Sequence, residues 1–177
     1  MTFVSSAVQT SFDATPYAGQ AGMQYDFQTS TDGLEVAKTV SGTLPFGRGV
    51  ASAVATPNIA SLPTTGTDAG RLVGITLADN QVASGSGGYL DGTVARLLQC
   101  GKVWVFAEGA VNDRQAAYVR ITESTTGAAD QGQFRGDSDS GKAVLATGCR
   151  FLCVNGTIGA SGPCVLEVNL IPAGAAL

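Results

Sequence analysis

Residues 93–107, TVARLLQCGKVWVFA, are the stretch of sequence that decides the fold. Two runs rich in branched and aromatic residues, 93–99 and 102–107, flank the dipeptide Cys100-Gly101. Such residues favour β-strands, and a two-residue connection that contains glycine is typical of a hairpin. The sequence therefore predicts two antiparallel strands joined by a turn at Cys100-Gly101.

The same pattern recurs on both sides of this stretch. Short alternating or apolar runs, separated by Gly- and Pro-containing segments, predict further strands at residues 47–55, 71–78, 117–122, 133–135, 143–154 and 164–171. No segment has the apolar period of a helix over three turns. Many short strands between glycine-rich turns predict an all-β fold, a compact β-barrel or jelly-roll-like sandwich.

Composition divides the chain into three parts. Residues 1–38 are rich in Gln, Ser, Thr, Ala and Gly, with isolated aromatic residues and no sustained period. This favours an extended N-terminal arm that lies along another surface, and a partly disordered terminus is the alternative. We expect residues 39–171 to form the β domain and residues 172–177 a flexible tail.

The low charge of the chain restricts its partners. Charged residues make up 14% of the sequence, and 10 Lys and Arg against 14 Asp and Glu give a net charge of −4. A nucleic-acid partner is not expected, because a phosphate-binding surface needs clustered Lys and Arg. A surface poor in charge is poorly protected against association, which favours a surface covered by other subunits.

The location of the protein follows from what its sequence lacks. There is no apolar run of transmembrane length and no secretory signal, so we expect no membrane partner, and we expect assembly in a cytoplasm.

Five arginines are scattered along the chain, namely Arg48, Arg71, Arg96, Arg114 and Arg120. They indicate ordinary solvation at strand edges, and salt bridges to a partner are the alternative.

The four cysteines, Cys100, Cys149, Cys153 and Cys164, are expected to be buried free thiols. Cys149 and Cys153 are four residues apart and would share one face of a strand. Their spacings are irregular and the chain has no histidine, so a zinc site is not expected. We expect no metal and no cofactor.

The segment GDSDSGK at residues 136–142 imitates two catalytic motifs. As a phosphate loop it lacks the hydroxyl that Ala143 replaces, and a strand is predicted after it where a helix is needed. As the Asp-Ser-Gly of a serine protease it has no histidine to act as base. A serine–lysine hydrolase built on Ser138 or Ser140 with Lys142 is the remaining alternative. The segment predicts a turn between strands, and the protein is not expected to be an enzyme.

Seven short motifs follow one another along the chain. They are PYAGQAG at 16–22, PFGRGV at 45–50, RLVGIT at 71–76, KVWV at 102–105, EGAV at 108–111, AYVR at 117–120 and VLEVNL at 165–170. In this order, which covers residues 16–171, the sequence resembles the structural cement proteins that decorate the capsids of tailed bacteriophages. The glycine-rich segments 123–132 and 155–163 depart from the family in length, so their contacts are not inferred.

The resemblance implies a β-barrel-like or jelly-roll domain on the outside of the capsid, without catalytic residues. It implies contacts with several copies of the major capsid protein, and a homo-oligomer, with a trimer favoured. A partner interface would then use aromatic anchors in the arm, at Phe12, Tyr17, Tyr25 and Phe27, together with Phe46 and Arg48 at the junction that follows it. Two alternatives stay open, namely another virion protein such as a tail or spike β-sandwich, and a small β-barrel that binds a ligand.

Overall fold

The computed structural model describes residues 21–22, 33–53, 55–66, 71–79, 87–122, 131–153 and 159–170. The regular structure in these ranges is almost entirely β, which confirms the predicted all-β class. The strands are β1 (Leu34–Val40), β2 (Leu44–Pro45), β3 (Gly49–Ala51), β4 (Ile59–Ala60), β5 (Leu72–Thr76), β6 (Gly88–Tyr89), β7 (Val94–Ala107), β8 (Ala116–Arg120), β9 (Phe134–Arg135), β10 (Ala143–Leu152) and β11 (Gly162–Asn169).

The central element is β7, a single strand of 14 residues. Leu97 pairs with β1 and also with β5, and Ala107 pairs with β11 and also with β9. The predicted hairpin at Cys100-Gly101 is therefore wrong. Gly101 has a φ of 129°, which glycine tolerates, and it stays in register with Val168 of β11. The chain does not reverse at this dipeptide because both halves of β7 find their partners in other strands.

The first half of β7 belongs to a closed circuit of strands, the N-terminal ring, in the order β7–β1–β4–β3–β5–β7. β1 pairs with β4 in parallel, and Ser61, which follows β4, forms a bridge to Ala51 of β3. β3 pairs with β5, and β5 returns to β7. A cluster of buried side chains lies in this ring and includes Leu44 of β2 and Tyr89 of β6, two strands that pair with each other outside the ring. Its members are Val40, Leu44, Val50, Ala60, Tyr89, Ala95 and Leu97.

The second half of β7 belongs to the C-terminal ring, in the order β7–β11–β10–β8–β9–β7. All its pairings are antiparallel except that of β9 with β7, which is parallel. Its core is the larger one and is centred on bulky buried side chains such as Phe134, Phe151 and Leu166. Two closed rings that share β7 confirm the expected barrel-like architecture.

Several boundaries differ from the sequence prediction. The predicted arm ended at residue 38, but Leu34–Val40 is a strand paired with β7, so residues 34–38 lie in the sheet. The strand predicted at 47–55 is reduced to Gly49–Ala51. The remaining residues of the predicted arm, apart from 21–22 and 33, and the predicted tail 172–177 lie outside the described residues. The division into arm, domain and tail stays a prediction.

The C-terminal ring has a weak point at β9, which contributes only two residues to it. A cluster of charged side chains, the β9 ion network, lies at this point and consists of Glu108, Arg120, Arg135 and Asp139. Arg120 donates to both carboxylate oxygens of Glu108 at 2.7 and 2.8 Å and to Asp139 at 2.8 Å. Arg135 bridges the same two carboxylates at 3.3 and 2.9 Å. The network therefore joins the end of β7, β8, β9 and the turn that follows β9.

The interpretation of Arg120 as a solvated or partner-facing arginine is wrong. Its side chain is only 6% exposed, and Glu108 beside it is 10% exposed. The hydrogen bond from Arg120 lowers the pKa of the Asp139 carboxyl below its ordinary value. Because the folded pKa lies below the unfolded one, the stability that Asp139 contributes is present at neutral pH and is lost as the pH falls from about 4 through the lowered pKa.

We expect the substitution Arg120→Met to destabilise the protein by about 3 kcal/mol or more at pH 7. Removing one partner of a buried ion pair leaves the other charge, here Glu108, insufficiently compensated. Arg96→Met is the matched control, because Arg96 pairs with Glu35 at 2.7 Å but is 50% exposed, so its loss should cost less than about 1 kcal/mol. Denaturant unfolding of both variants measures the difference. Equal costs would contradict a structural role for the network.

Candidate functional site

The segment 136–142 forms a turn between β9 and β10, as predicted. Its centre is a short 3-10 turn at Asp139–Gly141, and β10, not a helix, begins at Ala143. A phosphate loop is excluded because no helix N-terminus follows. The Asp139 carboxylate is held by Arg120 and Arg135, and Ser140 and Lys142 are exposed. The arrangement stabilises a turn, and no observation supports a serine–lysine hydrolase.

The cysteines lie mostly in the core of the C-terminal ring. Cys149, Cys153 and Cys164 are buried free thiols, whereas Cys100 on β7 is partly exposed, contrary to expectation. Cys149 and Cys153 both belong to the same core cluster, in agreement with the predicted shared face. Burial raises the pKa of Cys149 to about 12, which makes it an inert thiol at neutral pH. In the described ranges, no group of three or more potential ligands is placed to hold a metal.

The N-terminal segment meets the domain at Ala21–Gly22, which we call the Gly22 seat. The Gly22 amide donates to the carbonyl oxygen of Trp104 on β7 at 2.7 Å. The Ala78 amide, two residues after β5, donates to the carbonyl oxygen of Gly22 at 2.9 Å. Gly22 therefore links the second half of β7 to the chain that leaves β5, at the junction of the two rings.

The seat requires glycine at two positions. Gly22 has a φ of +88°, and a Cβ there would lie 2.8 Å from the backbone of both Thr76 and Ala78. Gly47 has a φ of +72°, and its Cβ would lie 2.7 Å from the Cβ of Ala21. The motifs PYAGQAG and PFGRGV, distant in sequence, thus meet here through backbone contacts that side chains would prevent.

The buried hydroxyl of Thr76 fixes the turn at residues 45–48, which packs against the Gly22 seat. Thr76 Oγ1 donates to the carbonyl oxygen of Pro45 at 2.6 Å and accepts from the Arg48 amide at 2.9 Å. The Gly47 amide donates to the Thr76 carbonyl oxygen at 2.9 Å. Since the Thr76 side chain is completely buried, these bonds fix residues 45–48 relative to β5.

The structure places two of the six predicted interface residues beside this seat. Phe46 is half-buried and packs edge-on against Tyr89, with ring centroids 5.4 Å apart. Arg48 is half-buried and donates to the Gln131 carbonyl oxygen at 3.4 Å. Both make contacts within the chain, and their part in a partner interface stays a prediction. The other four, Phe12, Tyr17, Tyr25 and Phe27, lie outside the described residues.

A row of exposed side chains on the N-terminal ring was missed by the sequence analysis. The strand register places Val94 of β7, Thr39 of β1 and Ile59 of β4 side by side. Val94 is 59% exposed and Ile59 37% exposed. Alternation along β1 and β7 indicated that these side chains face outward, but only the pairing of three strands brings them together.

The described residues include no helix long and apolar enough to cross a membrane.

We expect Gly22→Ala to release the N-terminal segment from the domain without unfolding it. The added methyl group would clash with the backbone of Thr76 and Ala78, in addition to the cost of a positive φ. Hydrogen exchange at the Ala78 amide should therefore accelerate, because the carbonyl of Gly22 no longer accepts its hydrogen bond.

Gly42→Ala is the matched control for this experiment. Gly42 has a φ of +82°, close to that of Gly22, but no atom lies within 4 Å of an added Cβ. Exchange at Ala78 should be unchanged in this variant. Equal exchange rates in the two variants would mean that the close approach at Gly22 does not hold the segment.

Four chains of known structure are similar to this chain in fold. One of them comes from a structure described as the capsid of Myoviridae phage XM1, with a TM-score of 0.66 and 18% sequence identity over 86% of this chain and 91% of that chain. No curated protein matches. The family model described as structural cement protein (E217 gp24/Pam3 gp6) matches residues 8–169, a range that contains the Gly22 seat and both rings. The chain therefore belongs to the phage structural cement protein family.

Proposed function

We propose that this protein binds the outer surface of the assembled lattice of the major capsid protein and stabilises the shell. Membership of the cement family gives it a structural role in the phage capsid. The observation that carries the proposal is that the family match covers residues 8–169, and so includes most of the predicted arm, the Gly22 seat and both rings. The binding surface would be made by the whole chain and not by one catalytic cleft.

Stabilisation follows from selective binding. A protein that binds the assembled lattice but not the free subunit shifts the equilibrium toward the lattice by mass action. Selectivity arises when one molecule contacts several subunits at once, since the combined surface exists only after assembly. Repetition of the contact over the lattice adds avidity, because each contact holds neighbouring sites in place.

The Gly22 seat determines how far the arm reaches. Residues 1–20 precede the seat and, fully extended, would span at most about 70 Å. Phe12 and Tyr17 lie ten and five residues before Gly22, so an extended chain would carry them at most about 36 Å and about 18 Å from the seat. In this proposal they would anchor the arm on a neighbouring subunit, where buried aromatic side chains contribute most of the binding energy.

Tyr25 and Phe27 have a different position in this proposal. They lie between two fixed points, the seat at Gly22 and the start of β1 at Leu34. A segment fixed at both ends has a shorter reach than a free arm, and in this proposal these two residues would contact only the subunit below their own domain. Phe46 and Arg48, next to the seat, would extend the same contact.

Self-association is the second part of the proposal. The exposed row of Val94, Thr39 and Ile59 suits contact with a second copy of the chain, and a trimer is favoured by the family resemblance. Nucleic acid is not a partner in this proposal, since the net charge is −4. A membrane is not a partner either, and assembly would take place in the host cytoplasm.

Two other functions receive less support. A tail or spike protein would also be a virion component with a β fold, and the capsid experiment below distinguishes it. A small-ligand barrel needs an open interior, whereas both rings are filled by buried side chains such as Tyr89 and Leu97 in one and Phe134 and Phe151 in the other.

Co-sedimentation with shells of the major capsid protein tests the proposal. We expect saturable binding at a fixed ratio to the capsid protein, no binding to free subunits, and a higher melting temperature of the decorated shells. Absence of binding to shells would overturn the proposal, and tail assemblies would then be the next partner to examine.

The arm is tested separately by substitution pairs of the same residue types. The double variant F12A/Y17A should weaken shell binding by about tenfold or more, since each lost anchor costs at least about 1 kcal/mol. The matched double variant Y25A/F27A, on the tethered side of the seat, should weaken it less. If removal of residues 1–20 leaves binding unchanged, the arm has no part in it, although the domain still binds.

A further inference from the structure

Two buried thiols face each other at the end of the C-terminal ring. Cys153 immediately follows β10, and Cys164 lies on β11. Their sulfur atoms are 3.7 Å apart, and both cysteines are free. The two residues are 8% and 2% exposed, respectively, within the apolar core cluster of this ring.

The strand register explains why the thiols meet. Leu152 pairs with Val165 in the antiparallel ladder of β10 and β11, so the next step along both strands brings Cys153 opposite Cys164. Directly opposed residues of antiparallel strands have Cα atoms about 4.5 to 5.5 Å apart. A disulfide requires about 4.4 to 6.8 Å, so side-chain adjustment alone can close the bond.

We propose that Cys153 and Cys164 form an oxidation site, which remains a pair of thiols in a reducing cytoplasm and becomes an intramolecular disulfide in an oxidising solution. The inference does not rest on the proposed function, because the isolated chain carries the complete site. The disulfide would add a covalent cross-link to a fold in which the four cysteines are free.

The reaction balances with oxidised glutathione as the oxidant. One cysteine thiolate attacks the glutathione disulfide, which gives a mixed disulfide and releases one glutathione thiol. The second cysteine then attacks the protein sulfur of the mixed disulfide and releases the second glutathione. Two electrons and two protons pass from the cysteines to glutathione, and the Cys153–Cys164 bond is formed.

We expect burial to slow this reaction. Burial, together with the neighbouring Cys153 thiol and the Asp113 carboxylate, raises the pKa of the Cys164 thiol to about 12. Since the thiolate is the attacking species, little of it is present at neutral pH. Oxidation should therefore be slower than that of an exposed thiol, and its rate should rise as the pH is raised from 7 to 9.

The cross-link should stabilise the C-terminal ring. It closes residues 154–163 into a loop between the ends of β10 and β11. A native-geometry disulfide around a loop of this length restricts the unfolded chain, and we expect the melting temperature of the oxidised protein to exceed that of the reduced protein by roughly 5 to 10 °C.

The experiment uses the full-length protein, purified under reducing conditions and then incubated with oxidised glutathione. We expect peptide mapping of the unsubstituted chain to join Cys153 to Cys164. In C100S/C149S, which lacks the partly exposed Cys100, we expect the two remaining titratable thiols in denaturant to be lost and the intact mass to fall by about 2 Da through loss of two hydrogens. The melting temperature of the same samples gives the second measurement.

Two double variants complete the test. C100S/C149S should keep both the mass change and the rise in melting temperature, whereas C153S/C164S should lose both. Retention of all four thiols in the folded protein, a cross-link between other cysteines, or arrest at the glutathione adduct would overturn the inference. The peptide map of the unsubstituted chain decides the question even if C153S/C164S fails to fold.

Discussion

Hydrogen bonding along both edges of β7 is the constraint on which the rest of the structure depends. The first half of the strand is paired with β1 and β5, and the second half with β11 and β9. One strand thus completes two closed rings, each with its own buried cluster. Closure removes the unpaired edges on which chains aggregate, which matters for a protein that binds other surfaces and carries little charge.

The junction between the rings matters for both the fold and the proposed function, because the N-terminal segment is attached there. Gly22 bonds to Trp104 of β7 and to Ala78 beyond β5, so the N-terminal segment is tied to the element that both rings share. The β9 ion network reinforces the shortest strand of the C-terminal ring, close to the C-terminal end of β7. In the proposed function, a domain with an arm tethered at Gly22 would suit contact with several subunits of a lattice, because the domain would fix the position and the arm would extend the reach.

The sequence predicted those elements whose signal is local. β5, β8, β10 and β11 appear where alternating or apolar runs stand between turns. The hairpin at Cys100-Gly101 was wrong because a dipeptide pattern does not reveal which strands pair with its flanks. β1 was missed because its polar neighbours resemble an arm, and the network around Arg120 was missed because Glu108 and Asp139 join it through topology, at separations of 12 and 19 residues. The seat was present in two glycine motifs, but only the fold shows that they touch.

The most direct test of the account is a cryo-electron microscopy reconstruction of major-capsid-protein shells saturated with this protein. We expect density for the two-ring domain on the outer surface at a fixed ratio to the capsid protein. We also expect density for the arm to continue from the Gly22 seat onto a neighbouring subunit. Density inside the shell, or an undecorated outer surface at saturating concentration, would contradict the account.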